Sequence, residues 1–225
     1  MSYLESQLLL IDKPLGASSF DIVAIIRNSL TKELGEKVKV SHTGTLDPLA
    51  TGVLLILIGK ATKAQDIFLK QDKRYRFIVK LGEKTSTADL EGEITEKKKV
   101  PKLTEVKIKK TLKKFVRLQK QTVPLFSAVK VEGKRLYKYA RQNKTPNRLP
   151  SKDIEIFSLK LLSYNSDKLE LQLAVHCSSG TYVRSLAEDI AKALNTVGHV
   201  VNLQRTKSGE FELDDCSSID LHYTN

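Results

Sequence analysis

The chain has 225 residues, which is long enough for one sizeable domain with an ample core. A hydrophobic fraction of 40% and a charged fraction of 28% are typical of a soluble globular protein, and no apolar segment approaches the roughly 18 residues of a membrane-spanning helix. The 38 basic and 26 acidic residues give a net charge of +12, which favours a polyanionic partner such as nucleic acid. A general lysine bias of the composition is the alternative explanation of that charge.

Cysteine usage and the N-terminus indicate where the protein acts. Cys177 and Cys216 lie far apart without a CxxC spacing, so neither a disulfide framework nor a zinc site is expected. The first residues lack the basic start and the long apolar stretch of a secretory signal. These features predict a cytoplasmic protein in a reducing compartment.

The N-terminal part of the chain predicts a strand followed by a helix. The apolar run LLLI at 8–11 is typical of a short buried strand. Ser18 and Asp21 form a plausible capping box, which predicts a helix from there to Leu30. The apolar residues with helical spacing are Phe20, Val23, Ile26 and Leu30.

The stretch SHTGTLDPLATGVLLILIG at 41–59 places a carboxylate directly before an apolar run. Val53 to Ile58 predict a buried strand of six apolar residues, bounded by glycines. Asp47 lies in the loop before it, and Pro48 biases the backbone of Asp47 towards an extended conformation. A catalytic carboxylate suits this position, and the alternative is a turn-stabilising aspartate that bonds its own backbone.

Basic residues dominate the middle of the chain. The segment RYRFIVKLG at 74–82 alternates, which predicts a half-buried strand in which Tyr75 shares a face with Phe77 and Val79. Residues 97–120 carry eleven Lys or Arg and one Glu. They predict a basic helix at about 103–118, whose apolar stripe is Ile108, Leu112, Phe115 and Val116. Its basic back is either a solvated face or a surface for a polyanion.

The remaining elements decide the fold class. Residues 124–150 are polar and basic with weak periodicity, which predicts a projecting, mobile segment. The segment at 168–194 predicts a strand to His176, a turn and a helix. The buried stripe of that helix is Val183, Leu186, Ala187, Ile190 and Leu194. Since strands and helices do not alternate regularly, we predict an α+β fold with a mixed, mainly antiparallel sheet flanked by helices.

The sequence lacks the motifs of a phosphate-binding loop, a metal site and a serine nucleophile. GVLLILIGKAT at 52–62 has six residues between its glycines and an alanine after the lysine, so it is not a phosphate loop. The four histidines have no i,i+4 pairing and no neighbouring cysteine pair, so no metal site is expected. No G-x-S-x-G nucleophile elbow occurs.

Three polar groups at predicted element ends remain: Asp47, Tyr75 and Arg184. One carboxylate cannot perform two-carboxylate glycoside hydrolysis, but a carboxylate kept ionised by an arginine can act as a nucleophile. Together with the basic surface, this indicates covalent chemistry on a nucleotide of RNA. From the residues alone, Tyr75 as a core residue, Arg184 as a helix-surface residue and His42 as a turn residue are the competing interpretations.

The segment HTGTLDPLATGVL closely resembles the signature of the bacterial tRNA pseudouridine-55 synthases, the TruB family. Other segments resemble the remaining family motifs in the same order: IDKPLGASSFDIV, KRYRFIVKLGEKTSTADLEGEI, FSAVKVEGKRLYKYAR, CSSGTYVRSLAEDIA and GHVVNLQRTKSGEF. The resemblance covers about residues 8–220. It implies the pseudouridine synthase fold in a single catalytic domain at 1–225, with an RNA-gripping insertion at about 124–150.

The resemblance also assigns the site residue by residue. Asp47 matches the catalytic aspartate that attacks the target uridine, either at the base ring or at the ribose. Tyr75 matches the tyrosine that stacks on the flipped-out base, and Arg184 matches the arginine that pairs with the aspartate. Substrate-binding roles fall to His42, which fills the tRNA loop, to Tyr182 and Leu203, which shape the pocket, and to Lys134, Arg135 and Lys138 in the insertion. Lys13 and Lys63 lie in matching motifs and are interpreted as structural.

The implied activity is isomerisation of uridine 55 in the T loop of tRNA, by a monomer and without a cofactor or metal. The chain departs from the family pattern. Most relatives carry a C-terminal RNA-binding, PUA-like domain after the catalytic domain, and no such domain is expected here. LQR replaces a usual double arginine near Leu203, and Ser41 replaces a usual glycine. The alternatives are a non-catalytic tRNA-folding chaperone, which the intact Asp47, Tyr75 and Arg184 disfavour, and a guide-directed synthase, which the missing domain disfavours.

Overall fold

A computed structural model describes residues 6–142 and 144–219. The strands, numbered in chain order, are β1 (Ser6–Lys13), β2 (Val40–His42), β3 (Ala50–Gly59), β4 (Lys73–Leu81), β5 (Glu83–Thr85), β6 (Ile94–Lys97), β7 (Leu118–Thr122), β8 (Lys130–Val131), β9 (Lys134–Arg135), β10 (Ser151–Asn165), β11 (Glu170–Cys177), β12 (Gly198–Ser208), β13 (Phe211–Glu212) and β14 (Ser217–Ser218). The helices are α1 (Ser19–Leu34), α2 (Gln65–Leu69), α3 (Glu105–Lys113), α4 (Leu136–Ala140) and α5 (Val183–Ala193), with 3₁₀ turns at Lys60–Ala64 and Leu213–Asp215.

The chain divides into two compact units, and two of its strands belong to both. The first unit comprises Met1–Tyr75 and Leu203–Asn225, and the second comprises Arg76–Asn202. The boundaries fall within β4 and β12, so each of these strands begins in one unit and ends in the other. The single catalytic domain predicted from the sequence stays a prediction.

The buried strand β3 is the centre of the first unit. It pairs antiparallel with β1 from Ser6↔Gly59 to Lys13↔Gly52, and parallel with β12 at Leu203↔Ala50. The residues from Val53 to Ile58 are at most 1% exposed. They confirm the strand predicted at 53–58 and form a rigid base for the loop that precedes it.

The helix α1 packs one face against this sheet. Ser18 and Asp21 form the predicted capping box, in which each side chain accepts a hydrogen bond from the other residue's backbone N–H. Ile22, Val23 and Ile26 join the core with side chains of β3. Phe20 has the helical spacing noted in the sequence, but it does not join this core, because it is 63% exposed. It lies about 200° around the helix from Ile22, on the opposite side.

Antiparallel strands form most of the second unit. Its strand order is β4-β11-β10-β7, and β10 runs antiparallel to both of its neighbours. Two antiparallel hairpins, β5–β6 and β8–β9, complete the unit. Parallel pairing is recorded for β12 with β3 and for β1 with β14. The predicted α+β class with a mixed, mainly antiparallel sheet is confirmed.

In the second unit, the prediction for α5 agrees with the structure, whereas α3 is shorter than predicted. All five residues of the predicted α5 stripe are buried. The helix α3 begins after the Thr104 cap and buries Ile108 and Leu112, but it ends at Lys113. Phe115 and Val116 therefore lie outside the helix, and Val116 is 40% exposed, so their predicted place in the stripe is wrong. Neither glycine nor proline follows Lys113 to mark the end of the helix in the sequence.

Candidate active site

Asp47 lies in the loop between β2 and β3, and the segment leading into α1 holds the backbone on both sides of it. Ser19 Oγ accepts a hydrogen bond from Leu46 N at 2.7 Å and donates one to Leu46 O at 3.1 Å. On the other side of the carboxylate, Gly16 N donates to Pro48 O at 2.9 Å. The half-buried Asp47 side chain therefore projects from a fixed backbone position.

A buried lysine reinforces this arrangement. The Lys13 side chain is fully buried at the end of β1, and its ammonium donates to Pro14 O at 2.8 Å, Ala17 O at 2.5 Å and Pro48 O at 3.5 Å. Burial lowers the pKa of Lys13 to about 8, and the negative charge of Asp47 opposes that shift. Lys13 thus joins the segment that leads into α1 to the residue after Asp47.

Arg205 on β12 holds the opposite end of the same loop. It is 1% exposed, its Nε donates to Val53 O at 2.6 Å, and its Nη2 donates to Gly44 O at 3.1 Å. Gly52 lies against its backbone, where a Cβ atom would come within 2.2 Å of Arg205 O, and its φ of +99° also requires glycine. No role was predicted for Arg205 from the sequence, because spacing alone does not distinguish a buried arginine that bonds two carbonyl groups from a surface arginine.

Two of the predicted substrate-binding residues, Leu203 and His42, lie next to the Asp47 loop. Leu203 is 6% exposed and pairs with Ala50 in the register of β12 and β3, three residues after Asp47. His42 ends β2, and its carbonyl oxygen accepts a hydrogen bond from Gln65 Nε2 at 3.0 Å. Burial lowers the pKa of the His42 imidazole, and the charge of Arg205 lowers it further, so the ring is neutral at pH 7.

Tyr75 is the third residue of β4 and is 9% exposed. The strand around it alternates as predicted, with Tyr75 on its buried face. Two residues earlier, the buried Lys73 ammonium donates to Phe68 O at 3.2 Å and to Gln71 O at 2.7 Å, which ties the start of β4 to α2. The beginning of the tyrosine-bearing strand is thereby fixed.

Arg184, the second residue of α5, is 5% exposed, so the competing interpretation of a helix-surface arginine is wrong. Its Nη1 donates to Thr87 O at 2.9 Å, and its Nη2 donates to Phe126 O at 2.8 Å. Its Nε lies 3.7 Å from Asp89 Oδ2. These three contacts fix the plane of the guanidinium group and link α5 to the turn after β5 and to the start of the insertion.

Asp89 is a buried charged residue for which no role was predicted from the sequence. Its side chain accepts hydrogen bonds at Oδ1 from Thr87 Oγ1 at 2.5 Å and from Glu91 N at 3.0 Å. The preceding Ala88 has φ +63°, a left-handed conformation that costs about 1–2 kcal/mol for a residue other than glycine. The available signal was an aspartate among small polar residues in TSTADLEG, a pattern that also describes an ordinary turn.

Tyr182 precedes α5 and is held by an amide side chain. Its N–H donates to Gln121 Oε1 at 2.8 Å, and Gln121 Nε2 donates to its carbonyl oxygen at 3.0 Å. Gln121 is 3% exposed and belongs to β7. The position of Tyr182 is thus fixed two residues before Arg184.

The insertion contains the β8–β9 hairpin and α4, which is anchored by the fully buried Leu136. Lys134 Nζ lies 4.7 Å from the centre of the Tyr139 ring, a cation–π distance. Arg135 and Lys138 are exposed, and Lys134 is half-buried. These three cations therefore lie on or near the surface of a structured segment.

The predicted site residues are divided between the two units. His42, Asp47, Tyr75 and Leu203 belong to the first unit, whereas Lys134, Arg135, Lys138, Tyr182 and Arg184 belong to the second. Lys63 is exposed in a 3₁₀ turn of the first unit. In the described ranges 6–142 and 144–219, no group of three or more His, Cys, Asp or Glu side chains is placed to hold a metal ion. None of the helices within those ranges is long and apolar enough to cross a membrane.

Two family models together match residues 31–224 of the chain. Residues 31–183 match the family model of the TruB family pseudouridylate synthase N-terminal domain, and residues 184–224 match that of the tRNA pseudouridylate synthase B C-terminal domain. The chain is 44% identical over 219 residues to tRNA pseudouridine synthase B of Parabacteroides distasonis, covering 97% of this chain and 92% of the relative.

Other relatives are longer than this chain. The tRNA pseudouridine synthase B of Psychrobacter cryohalolentis is 40% identical over 210 residues, which cover 93% of this chain and 58% of that protein. Among solved structures, a chain of a Cbf5–Nop10–Gar1 complex superposes with a TM-score of 0.68 at 28% identity, covering 94% of this chain and 52% of that chain. This chain thus spans little more than half the length of these two proteins.

Proposed function

Because the chain belongs to the TruB family of pseudouridine synthases, we propose that it isomerises uridine to pseudouridine at position 55 in the T loop of tRNA. The observation that carries the proposal is the loop of Asp47, which Lys13, Ser19 and Arg205 hold on both sides of the carboxylate. A nucleophile needs such a fixed position, since a displacement of about 1 Å can reduce a rate about 100-fold.

The reaction changes the connectivity of one nucleotide and consumes no co-reactant. Asp47 attacks the target nucleotide, at the base ring or at C1′, while the glycosidic bond from N1 to C1′ breaks. The base rotates, and a bond forms between C5 and C1′. The proton on C5 is lost to the solvent, N1 gains a proton, and the carboxylate is released. Since product and substrate are isomers, neither a redox cofactor nor a metal is required by the balance of atoms and electrons.

Tyr75 and Arg184 support this step in the proposed mechanism. Tyr75 stacks on the target base, which a synthase must extrude from the RNA loop at a cost of a few kcal/mol. Stacking on an aromatic ring returns about 1–3 kcal/mol. Arg184 keeps Asp47 ionised, and its own orientation comes from Thr87, Asp89 and Phe126.

The remaining predicted residues hold the RNA. Tyr182 and Leu203 shape the pocket, and the neutral His42 ring occupies space left by the flipped bases. Lys134, Arg135 and Lys138 bind phosphates, which orients the RNA without reading its sequence. The protein acts as a monomer in the cytoplasm, where the free thiols of Cys177 and Cys216 stay reduced.

Mapping of pseudouridine in a defined tRNA tests the proposal. The purified protein is incubated with a tRNA transcript, and with a matched transcript in which cytidine replaces uridine 55. We expect pseudouridine at position 55 of the first transcript and none in the second. Tight binding of both transcripts without any pseudouridine would support the tRNA-folding chaperone, and modification at other positions would assign a different substrate.

A further inference from the structure

A groove in the second unit is lined by four lysines and has no role in the proposed reaction. It has a volume of about 530 Å³ and lies between the ends of β4 and β6 and the turn before β11. Its lining includes Lys80, Lys97, Lys98, Lys99, Leu81 and Leu169. We call this feature the lysine groove.

Backbone and side-chain hydrogen bonds fix the walls of the lysine groove. Leu81 N donates to Leu169 O at 2.8 Å, and Lys98 N donates to Gly82 O at 2.9 Å. Lys80 Nζ donates to the carbonyl oxygen of Lys168 at 2.5 Å. Three separate segments of the chain therefore form one rigid groove.

The charges of the lysine groove are not balanced by acids. Among the described residues that line it, Glu83 is the one acid, and it forms an ion pair with Lys97 at 2.9 Å. Lys98 and Lys99 are exposed, and within the described part of the chain they have no ion-pair partner. Two ammonium groups thus remain available to a ligand with negative charges.

A neighbouring groove shows that this imbalance is local. That groove has a volume of about 370 Å³, and its lining includes Lys84, Lys192 and Lys98, which it shares with the lysine groove, together with Glu96, Glu188 and Asp189. Lys84 pairs with Glu188 at 3.3 Å. Acids accompany the lysines there, whereas Lys80, Lys97 and Lys99 line only the lysine groove, where Glu83 is the one acid among the described lining residues.

The position of the lysine groove separates it from Arg184. Arg184 lies in the first turn of α5, and the segment that follows α5 contacts the groove, because Thr196 Oγ1 donates to Lys98 O at 3.1 Å and Gly82 N donates to Val197 O at 2.8 Å. Nine residues of helix, or about 13.5 Å, separate Arg184 from the end of α5 at Ala193. A ligand in the groove is therefore well removed from a nucleotide held at Arg184.

We propose that the lysine groove binds backbone phosphates of the substrate RNA outside the reacting T loop. The proposal rests on the proposed function, because RNA is the polyanion that the site would bring to this surface. Lysines contact phosphates as point charges and release counterions on binding, so each such lysine adds affinity without sequence preference. The groove thereby extends the RNA-binding surface beyond the insertion that carries Lys134 and Arg135.

Binding of two RNAs at several salt concentrations tests this proposal. The proteins are the wild type, the double variant Lys98→Gln/Lys99→Gln, and the control Lys84→Gln/Lys192→Gln, which removes the same charge from the balanced groove. The RNAs are a full-length tRNA transcript and its isolated T stem-loop. Dissociation constants are measured by fluorescence anisotropy, and melting temperatures are measured for all three proteins.

We expect the groove variant to reduce the slope of log affinity against log salt on full-length tRNA by about 0.7–0.9 for each phosphate that the variant no longer neutralises. Its slope on the T stem-loop, and its turnover of that RNA, should equal those of the wild type. Equal slopes for the groove variant and the control on full-length tRNA would overturn the proposal. A lower melting temperature of the groove variant with unchanged RNA binding would also overturn the proposal. It would indicate that the two lysines stabilise the carboxyl end of α5 instead. If the wild type binds tRNA but makes no pseudouridine, the proposed reaction fails while the slopes still decide the role of the groove.

Discussion

Arg184 and Asp89 form a buried ion pair, in which Nε and Oδ2 lie 3.7 Å apart and the side chains are 6% and 3% exposed. Both charged groups form further hydrogen bonds. Arg184 donates to two carbonyl oxygens, and Asp89 accepts from a hydroxyl group and a backbone N–H. Each charge is costly to bury alone, so the pair keeps its geometry only while both partners are present.

Replacement of Asp89 should therefore destabilise the protein and impair turnover. Asp89→Ala removes a buried carboxylate from beside the Arg184 guanidinium group, and we expect a loss of about 3–5 kcal/mol in the free energy of unfolding. Asp89→Asn retains an acceptor for Thr87 and Glu91, so its loss should be smaller. Urea unfolding and pseudouridine formation measure the two effects. The exposed Glu93→Gln serves as the control. An Asp89→Ala protein as stable as this control would show that the Asp89–Arg184 pair does not stabilise the fold.

Replacement of Arg205 tests the support of the Asp47 loop. Arg205→Lys keeps the positive charge, but a single ammonium lacks the fork that reaches both Val53 O and Gly44 O. We expect turnover to fall about 10- to 100-fold through displacement of Asp47, with little change in tRNA affinity. Single-turnover rates and binding constants separate the two effects. Arg27→Lys on α1 is the matched control, and an equal rate for both variants would show that Arg205 does not position Asp47.

Burial of Lys13 should make stability depend on pH. Burial lowers its pKa from the ordinary 10.5 to about 8, so between these values the unfolded chain binds more protons than the folded protein. The cost of burying the ammonium is complete below pH 8 and is relieved as the pH rises towards 10.5. We expect the free energy of unfolding of the wild type, measured relative to Lys13→Met, to be constant from pH 6 to 7 and to rise between pH 8 and 10.5. Lys32→Met at an exposed position should show no such rise, and a flat difference for Lys13→Met would show that the ammonium is not destabilised by burial.

The cations of the insertion should contribute to RNA affinity through phosphates. Replacing Lys134, Arg135 and Lys138 together with alanine should weaken tRNA binding and reduce the salt slope by about 0.7–0.9 for each phosphate that is no longer neutralised. The control replaces the exposed Lys32, Lys37 and Lys39 of the first unit, which removes the same charge. If the two triple variants bind tRNA with the same slope, the insertion cations act only through the net charge of the protein.

Much of the fold follows from local patterns in the sequence. The capping box of α1, the apolar run of β3 and the alternation of β4 each predict the observed element, and the α+β class follows from their order. The family motifs add the family and the enzyme class, and the comparisons confirm both. These features are visible in the sequence because each depends on residues close together in the chain.

The errors and omissions depend on distant contacts. Phe20 and Val116 are apolar residues that the tertiary structure leaves exposed, and helical spacing alone cannot show which side of α1 faces β3. Asp89 and Arg205 are held by residues 95 and 152 positions away in the sequence, so no local pattern identifies them. Lys13 was interpreted as structural, and its contact with Pro48 O, 35 positions away in the sequence, becomes evident only in the folded chain.

The proposed nucleophile is tested most directly by Asp47→Asn. The amide has nearly the shape of the carboxylate but neither its charge nor its nucleophilicity, so the covalent step alone should be lost. The measurement is tritium release from C5 of labelled uridine in T-loop RNA, made beside a binding assay and a melting curve on the same protein. We expect no tritium release above background by Asp47→Asn, with tRNA affinity and melting temperature close to those of the wild type. Tritium release at a rate comparable to the wild type would contradict it and leave Asp47 as a turn residue.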